Sequence, residues 1–223
     1  MLVLAGLLGA PVAAGAYWFL DLISHLNEWI FVEPLPKWLG FQAVPLWWPL
    51  PILTLAGLLV ALAIRWLPGR GGASPADGFK AGERPSPIEL PGIAVAALAS
   101  LALGAVVGPE APLIALGAGL GVAAVRLVRR DAPVAATLAV AAAGSFAAIS
   151  TLLGSPLLGA FLWLEASGLG GPLQRIVLLP GLLASGIGEL VFVGLDSWTG
   201  HGTFSLAIPN LPHFARPDVA EFG

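Results

Sequence analysis

The chain has 223 residues, of which 57% are hydrophobic and 10% charged, and its mean hydropathy is +0.90. Soluble domains carry about 25% charged residues, so this chain cannot clothe a water-facing surface and reads as an integral membrane protein. A formal net charge of −3 excludes a basic nucleic-acid footprint, and the absence of cysteine excludes disulfides and thiolate chemistry.

At about 20 residues per crossing there is room for seven or eight helical segments. The opening apolar run lacks a positive n-region and continues to Phe31, so 2–31 reads as a transmembrane helix rather than a signal peptide. A start directly inside a helix suggests preceding sequence. The stretch FVEPLPKWLGFQAVPL, 31–46, rich in proline and bearing Trp38, reads as an interfacial loop. A second span covers 47–67, and 68–87 is the most polar stretch, rich in Gly and Pro. Spans are expected over 88–108 and 110–128, then, after the RRDAP turn, over 133–149. A short helix over 152–166 and a longer one over 173–193, with Pro180 and Gly181 inside it, complete the series. The tail from 194 onward contains no span. Runs this short or broken are tolerated at membrane depth only where backbone is buried in protein or lines an aqueous cavity, and in transporters they place half-helix N-termini at a substrate site. The 29 glycines suit close helix approach.

Arg65, Arg70, Lys80 and Arg84 form one basic cluster, and Arg126, Arg129 and Arg130 a second. An up-and-down pair over 88–128 puts both on one face, with Arg175 on the same side. The positive-inside rule makes that face cytoplasmic. The expectation is a multi-pass protein of the bacterial plasma membrane.

The sharpest chemical signal is Glu110 in "GPEAP", 108–112, a carboxylate between two prolines, with no other charge between Glu89 and Arg126. Pro109 pre-sets a helix start, so Glu110 and Pro112 fall in the first turn of helix 110–128. Free N–H groups and the positive dipole end make such a terminus an anion site. A tethered carboxylate can fill the site when no free anion does and leave it on protonation, acting as gate, competitor and proton carrier. The plainer reading is a helix N-terminal acid, but ionisable groups within a bilayer are costly and usually functional. The histidines His25, His201 and His213 are widely separated, so no metal or other cofactor is expected.

These residues resemble the voltage-gated chloride channel (CLC) family of channels and proton/chloride exchangers. "GPEAP" is similar to that family's Gly-x-Glu-x-Pro segment. "GGASPADGF", 71–79, resembles its Gly-Ser-Gly-Ile-Pro loop, which opens a short helix aimed at the central anion. "AAAGSFAAISTLLGSPLLGAFLWLEA", 141–166, resembles its Gly/Ala-rich helix followed by a helix ending in glutamates. The three occur in family order over about 100 residues. The resemblance implies an all-α, CLC-like bundle of tilted and broken helices, one of two inverted repeats, filling 1–223 as a single domain. It implies transport of chloride or a similar small anion, with protons as a candidate second substrate. Glu110 becomes the gate, Gly72, Ala73, Ser74, Gly108, Pro109, Ala111 and Pro112 the anion-binding set, and Glu165 a candidate internal proton acceptor. The lipid bilayer and, in full-length form, a second copy are the implied partners.

Departures from the family pattern qualify these roles. Aligned on Pro75, the position of the anion-touching serine is Gly72, with Ser74 displaced by two. Pro109 replaces a basic residue. Ala166 takes the position of the internal proton-transfer glutamate, and Glu165, one residue early, points about 100° away. No internal repeat is visible, Tyr17 is the sole tyrosine, and the second half with its Gly-x-Phe-x-Pro segment is missing, so a fragment or a partner-dependent half is expected. Two other functions fit less well. One is a non-transporting assembly subunit. The other is a rhomboid-like intramembrane protease, for which Ser145 or Ser155 would need a histidine that no later span supplies. Ser155 fits a helix N-cap better.

Overall fold

A computed structural model of the protein describes residues 2–41, 43–72, 85–167 and 172–200, with backbone only at 163, 164, 166, 167 and 172–175. The regular elements among them are helical: α1 (Leu2–Phe31), α2 (Leu35–Trp38), α3 (Pro49–Trp66), α4 (Leu90–Ala102), α5 (Glu110–Val128), α6 (Val134–Leu153), α7 (Pro156–Ser167) and α8 (Pro172–Thr199), with a 3-10 turn over Pro87–Glu89 leading into α4. Five segments are long and apolar enough to cross a bilayer: α1 continued by α2, α3, α5, α6 and most of α8. The chain is an all-helical, multi-pass membrane protein.

Helix α6 is the axis. It packs against α1, α5, α7 and α8, and every residue from Ala139 to Leu152 is buried. Its sequence is rich in alanine and includes Gly144, and small residues let backbones come close where no hydrophobic force separates helix from lipid. Helix α5 answers in kind. Gly117 and Gly144 face each other so closely that a Cβ on either would strike the other's carbonyl, and Gly121 abuts the backbone at Val140 and Ala141. Gly117 and Gly121 form a Gly-x-x-x-Gly pair on one face of α5. The Ser145 hydroxyl completes the seam by donating to Ile114 O (3.1 Å) across the helices. On the other side Gly181 lets α8 pass over the ring of Phe146, 2.7 Å from where a Cβ would stand. Helices α1 and α8 run parallel: Gly9 lies on Ala184, Ala13 near Gly188, Tyr17 against Phe192, and the Tyr17 and Thr199 hydroxyls are hydrogen-bonded.

The two ends of the bundle differ in chemistry. At one end Ile30, Trp48, Ile52, Ala56 and Leu103 make a separate core, and Trp48 Nε1–H donates to Ile30 O (3.1 Å). Trp29, Trp38, Phe41 and Trp47 cluster edge-to-face around it, as in an interfacial aromatic belt. At the other end the exit of α3, the entry of α4 and the exit of α5 meet. Gly69 touches Glu89, and Ser86 and Glu89 form a reciprocal cap at the start of α4. Arg126 Nη1–H donates to Ser86 Oγ (3.5 Å). Arg65 and Arg126 thus share one end, as the basic-cluster argument required. Lys80, Arg84 and the Arg175 side chain lie outside the described residues.

Several boundaries differ from expectation. Helix α6 runs to Leu153 rather than 149, and α7 begins at Pro156 rather than 152. The span expected over 88–108 is the 13-residue α4, closed by a Schellman motif. Gly104 takes φ +89°, its N–H donates to Leu101 O (3.2 Å), and the Ala105 N–H reaches back to Ser100 O (2.9 Å). Helix α8, expected to stop at 193, runs on to Thr199 and is halted by Gly200 at φ +69°. Its last turn is held by the Tyr17–Thr199 hydrogen bond.

Candidate anion site at the start of helix α5

Pro109 precedes α5 with φ −85° and ψ −1°, and the first rung of the ladder is Leu113 N–H to Pro109 O (3.0 Å). A helix N-terminus leaves four orphan donors. Pro109 and Pro112 have no N–H, so only those of Glu110 and Ala111 are left, and neither has a partner among the described residues. Leu113, the next residue, is 1% exposed in the core shared with α1 and α6. The terminus is therefore anchored by an apolar side chain and presents a reduced, two-donor face.

The Glu110 side chain is exposed and folds back over Gly108. Gly108 takes φ +75°, and a Cβ there would collide with Glu110 Oε2, so the carboxylate crowds the space a side chain would need. Glu110 makes no ion pair among the described residues. Helices α4 and α5 are antiparallel, with Gly119 on Leu90 and Arg126 near Ser86. Glu110 lies sixteen residues, about 24 Å, along α5 from Arg126, toward the aromatic end.

Gly71 and Gly72 are the described residues of the other expected anion loop, and Gly72 takes φ +98° and lies against Ile93. By the α4–α5 register it sits about 9 Å below Glu110 along the bundle. Ala73 and Ser74 fall outside the described residues. Glu165 is exposed on α7, which does not pack on α5. The side chain of Ala166 also lies outside the described set.

Ser145 and Ser155 have structural roles. The Ser145 hydroxyl bridges α6 to α5. The Ser155 hydroxyl accepts from the Leu158 N–H (3.4 Å), capping α7 as its position suggests. His25 Nδ1 lies 2.9 Å from Asp21 O and 3.4 Å from Asp21 Oδ1 on an exposed part of α1. No Ser–His pair forms among the described residues.

Two carboxylates escaped the sequence reading. Glu189 Oε2 and Asp196 Oδ1 on α8 are enclosed and have no hydrogen-bond partner among the described residues. They lie seven apart, on the α8 face that carries Phe192 and Thr199 to Tyr17. The available signal was an acid within an apolar run, overlooked because no punctuation like the prolines at 109 and 112 accompanies it.

No protein-family model matches the chain. It is 32% identical over 202 residues (88% of this chain) to "Putative ion-transport protein YfeO" of Escherichia fergusonii. It is 34% identical over 205 residues to the protein of that name in an Escherichia coli strain, and 31% identical over 200 residues to that of Salmonella paratyphi A. The chain spans a little under half of these relatives, 46%, 46% and 47% of their lengths.

Proposed function

We propose that the chain carries the gated anion site of a membrane ion transporter of the CLC type, with chloride as substrate and Glu110 as gate. The observation that supports this best is the α5 terminus. It offers two backbone donors without partners, an exposed carboxylate tethered beside them, and a left-handed glycine on which that carboxylate rests. The names of the relatives point to ion transport, and the ordered motifs at 71–79, 108–112 and 141–166 point to anions. In this reading chloride takes the N–H groups of Glu110 and Ala111 when the carboxylate moves away. Protonation favours that departure, because the neutral acid has no attraction to the positive end of the helix. Flux therefore rises when the carboxylate is neutralised. With alanine at 166, proton transfer toward the basic end lacks an acid, so coupling to protons is weak or absent. The complete pore also needs the counterpart of the remaining length of the YfeO relatives, on the same or a separate polypeptide, and pairs as a homodimer.

The test is chloride flux with simultaneous pH recording in liposomes containing the complete transporter. Glu110→Gln and Glu110→Ala both abolish the pH dependence, with Ala passing more chloride. An unchanged pH profile in Glu110→Ala would reduce the carboxylate to a structural cap and end this reading.

A further inference from the structure

A cavity of about 430 Å³ lies between α1, α4, α5 and α6. Its walls are carbon, with Gly15 and Phe19 from α1, Pro87 and Leu90 at the entry of α4, and Leu116 and Leu120 from α5. The volume falls within the roughly 300–1,000 Å³ of ligand pockets, but no polar side chain lines it, so it suits an apolar chain rather than an ion. It opens sideways: Gly15 and Leu120 are exposed, and nothing stands within 4 Å of where a Gly15 side chain would begin.

The chemistry at its basic end is different. Pro87, on the wall, follows Ser86, whose hydroxyl accepts from Arg126. Arg129 and Arg130 come next and are exposed. Among the described residues none of these three arginines forms an ion pair. Of the nearby acids, Glu89 accepts the Ser86 N–H (2.7 Å), and Asp131 is exposed in the same turn. From Arg126 to Leu113, the far lining residue of α5, is thirteen residues or about 20 Å. A cationic mouth thus adjoins a deep apolar cleft open to the bilayer.

We propose that this cleft holds an acyl chain of an anionic phospholipid, with the lipid phosphate on Arg126, Arg129 and Arg130. Charge complementarity selects the occupant. A zwitterionic lipid fills the cleft but is not held preferentially by the arginines, whereas free phosphate meets the arginines and has no use for the cleft. Basic residues at a membrane surface attract anionic lipid by about fivefold in affinity each. The inference is independent of the anion-transport reading, because its test measures bound lipid.

The protein is reconstituted in nanodiscs of phosphatidylethanolamine and phosphatidylglycerol, extracted in mild detergent, and its retained lipid counted by native mass spectrometry. Phosphatidylglycerol is retained well above its share of the disc. Arg126→Gln lowers that enrichment about fivefold, and Arg129→Gln and Arg130→Gln lower it further by a similar factor each. Gly15→Phe, which enters open space and leaves the cations in place, lowers retention of both lipids with an unchanged thermal midpoint. The proposal is overturned if the two lipids are retained in their disc ratio. It is equally overturned if enrichment survives both Arg126→Gln and Gly15→Phe, or if millimolar inorganic phosphate displaces phosphatidylglycerol while Gly15→Phe has no effect.

Discussion

Replacing Gly144 by alanine tests whether the α5–α6 seam depends on close backbone approach. The new Cβ would collide with the Gly117 carbonyl oxygen and stand 2.7 Å from its carbon, whereas ordinary contact begins near 3.4 Å. The obstacle is backbone, so no side chain can swing aside and the helices must separate. Overpacking of this kind costs about 1–3 kcal/mol, and separation also lengthens the 3.1 Å hydrogen bond from Ser145 to Ile114 O. Against this, alanine gains about 1 kcal/mol of helix propensity over glycine. The expected net effect is a destabilisation of about 1–2 kcal/mol. Gly57→Ala is the control: that glycine lies in α3 with nothing within 4 Å of its missing Cβ, so only the propensity gain applies, and stability should rise by up to about 1 kcal/mol. The assay is unfolding in mild detergent titrated with sodium dodecyl sulfate, followed by tryptophan fluorescence. If Gly144→Ala and Gly57→Ala shift the midpoint in the same direction, the argument from close backbone approach is wrong.

Gly108→Ala should cost about 1–2 kcal/mol, because φ +75° is left-handed, and should displace the Glu110 carboxylate from its resting place; chloride flux through the complete transporter should then persist to higher pH, as read in liposomes. Trp48→Phe leaves Ile30 O without its donor inside the aromatic-end core and should cost about 1–3 kcal/mol in the same unfolding assay. Ser155→Ala should cost only about 0.5–1 kcal/mol, since the capping bond is long at 3.4 Å, and Ser155→Asp should recover it. Tyr17→Phe removes the hydroxyl that ties α1 to Thr199 and should raise hydrogen exchange in the last turn of α8 while leaving α5 unchanged.

Much of the helix pattern was legible because punctuation and apolar length agree. Residues 2–31 read as one helix and form one, with Pro11 absorbed inside it. The start of α5 was readable at Pro109, and that of α7 at Ser155. The end of α4 was misjudged because apolar residues continue through Val107 while Gly104 alone carries the stop, and a single glycine among many is weak evidence until its φ is known. The extension of α8 was hidden for the opposite reason. Asp196, Ser197 and Thr199 look like loop residues, and the contacts of α8 with Tyr17, distant in sequence, accompany their helical state. At the candidate site, spacing placed Glu110 in a first turn. It did not reveal that its carboxylate lies over Gly108, since that depends on the left-handed turn. The enclosed oxygens of Glu189 and Asp196 were invisible because enclosure is set by helices far away in the chain.

The clasp between α1 and α8 also sets a schedule for biogenesis. Tyr17 and Thr199 are 182 residues apart, and the Gly9–Ala184 contact is nearly as remote. At synthesis rates of about 5–20 residues per second, α1 waits roughly 10–35 seconds after emerging before its partner exists. During that interval its small-residue face, with Gly6, Gly9 and Ala13, has only lipid or the insertion machinery against it. The central helix α6 arrives before α8 and can shield part of that face, because α1 and α6 pack together directly. Completion of the bundle is therefore delayed to the last described helix. A ribosome that stalls before residue 184 leaves an open seam at the membrane, the kind of surface on which quality-control proteases act.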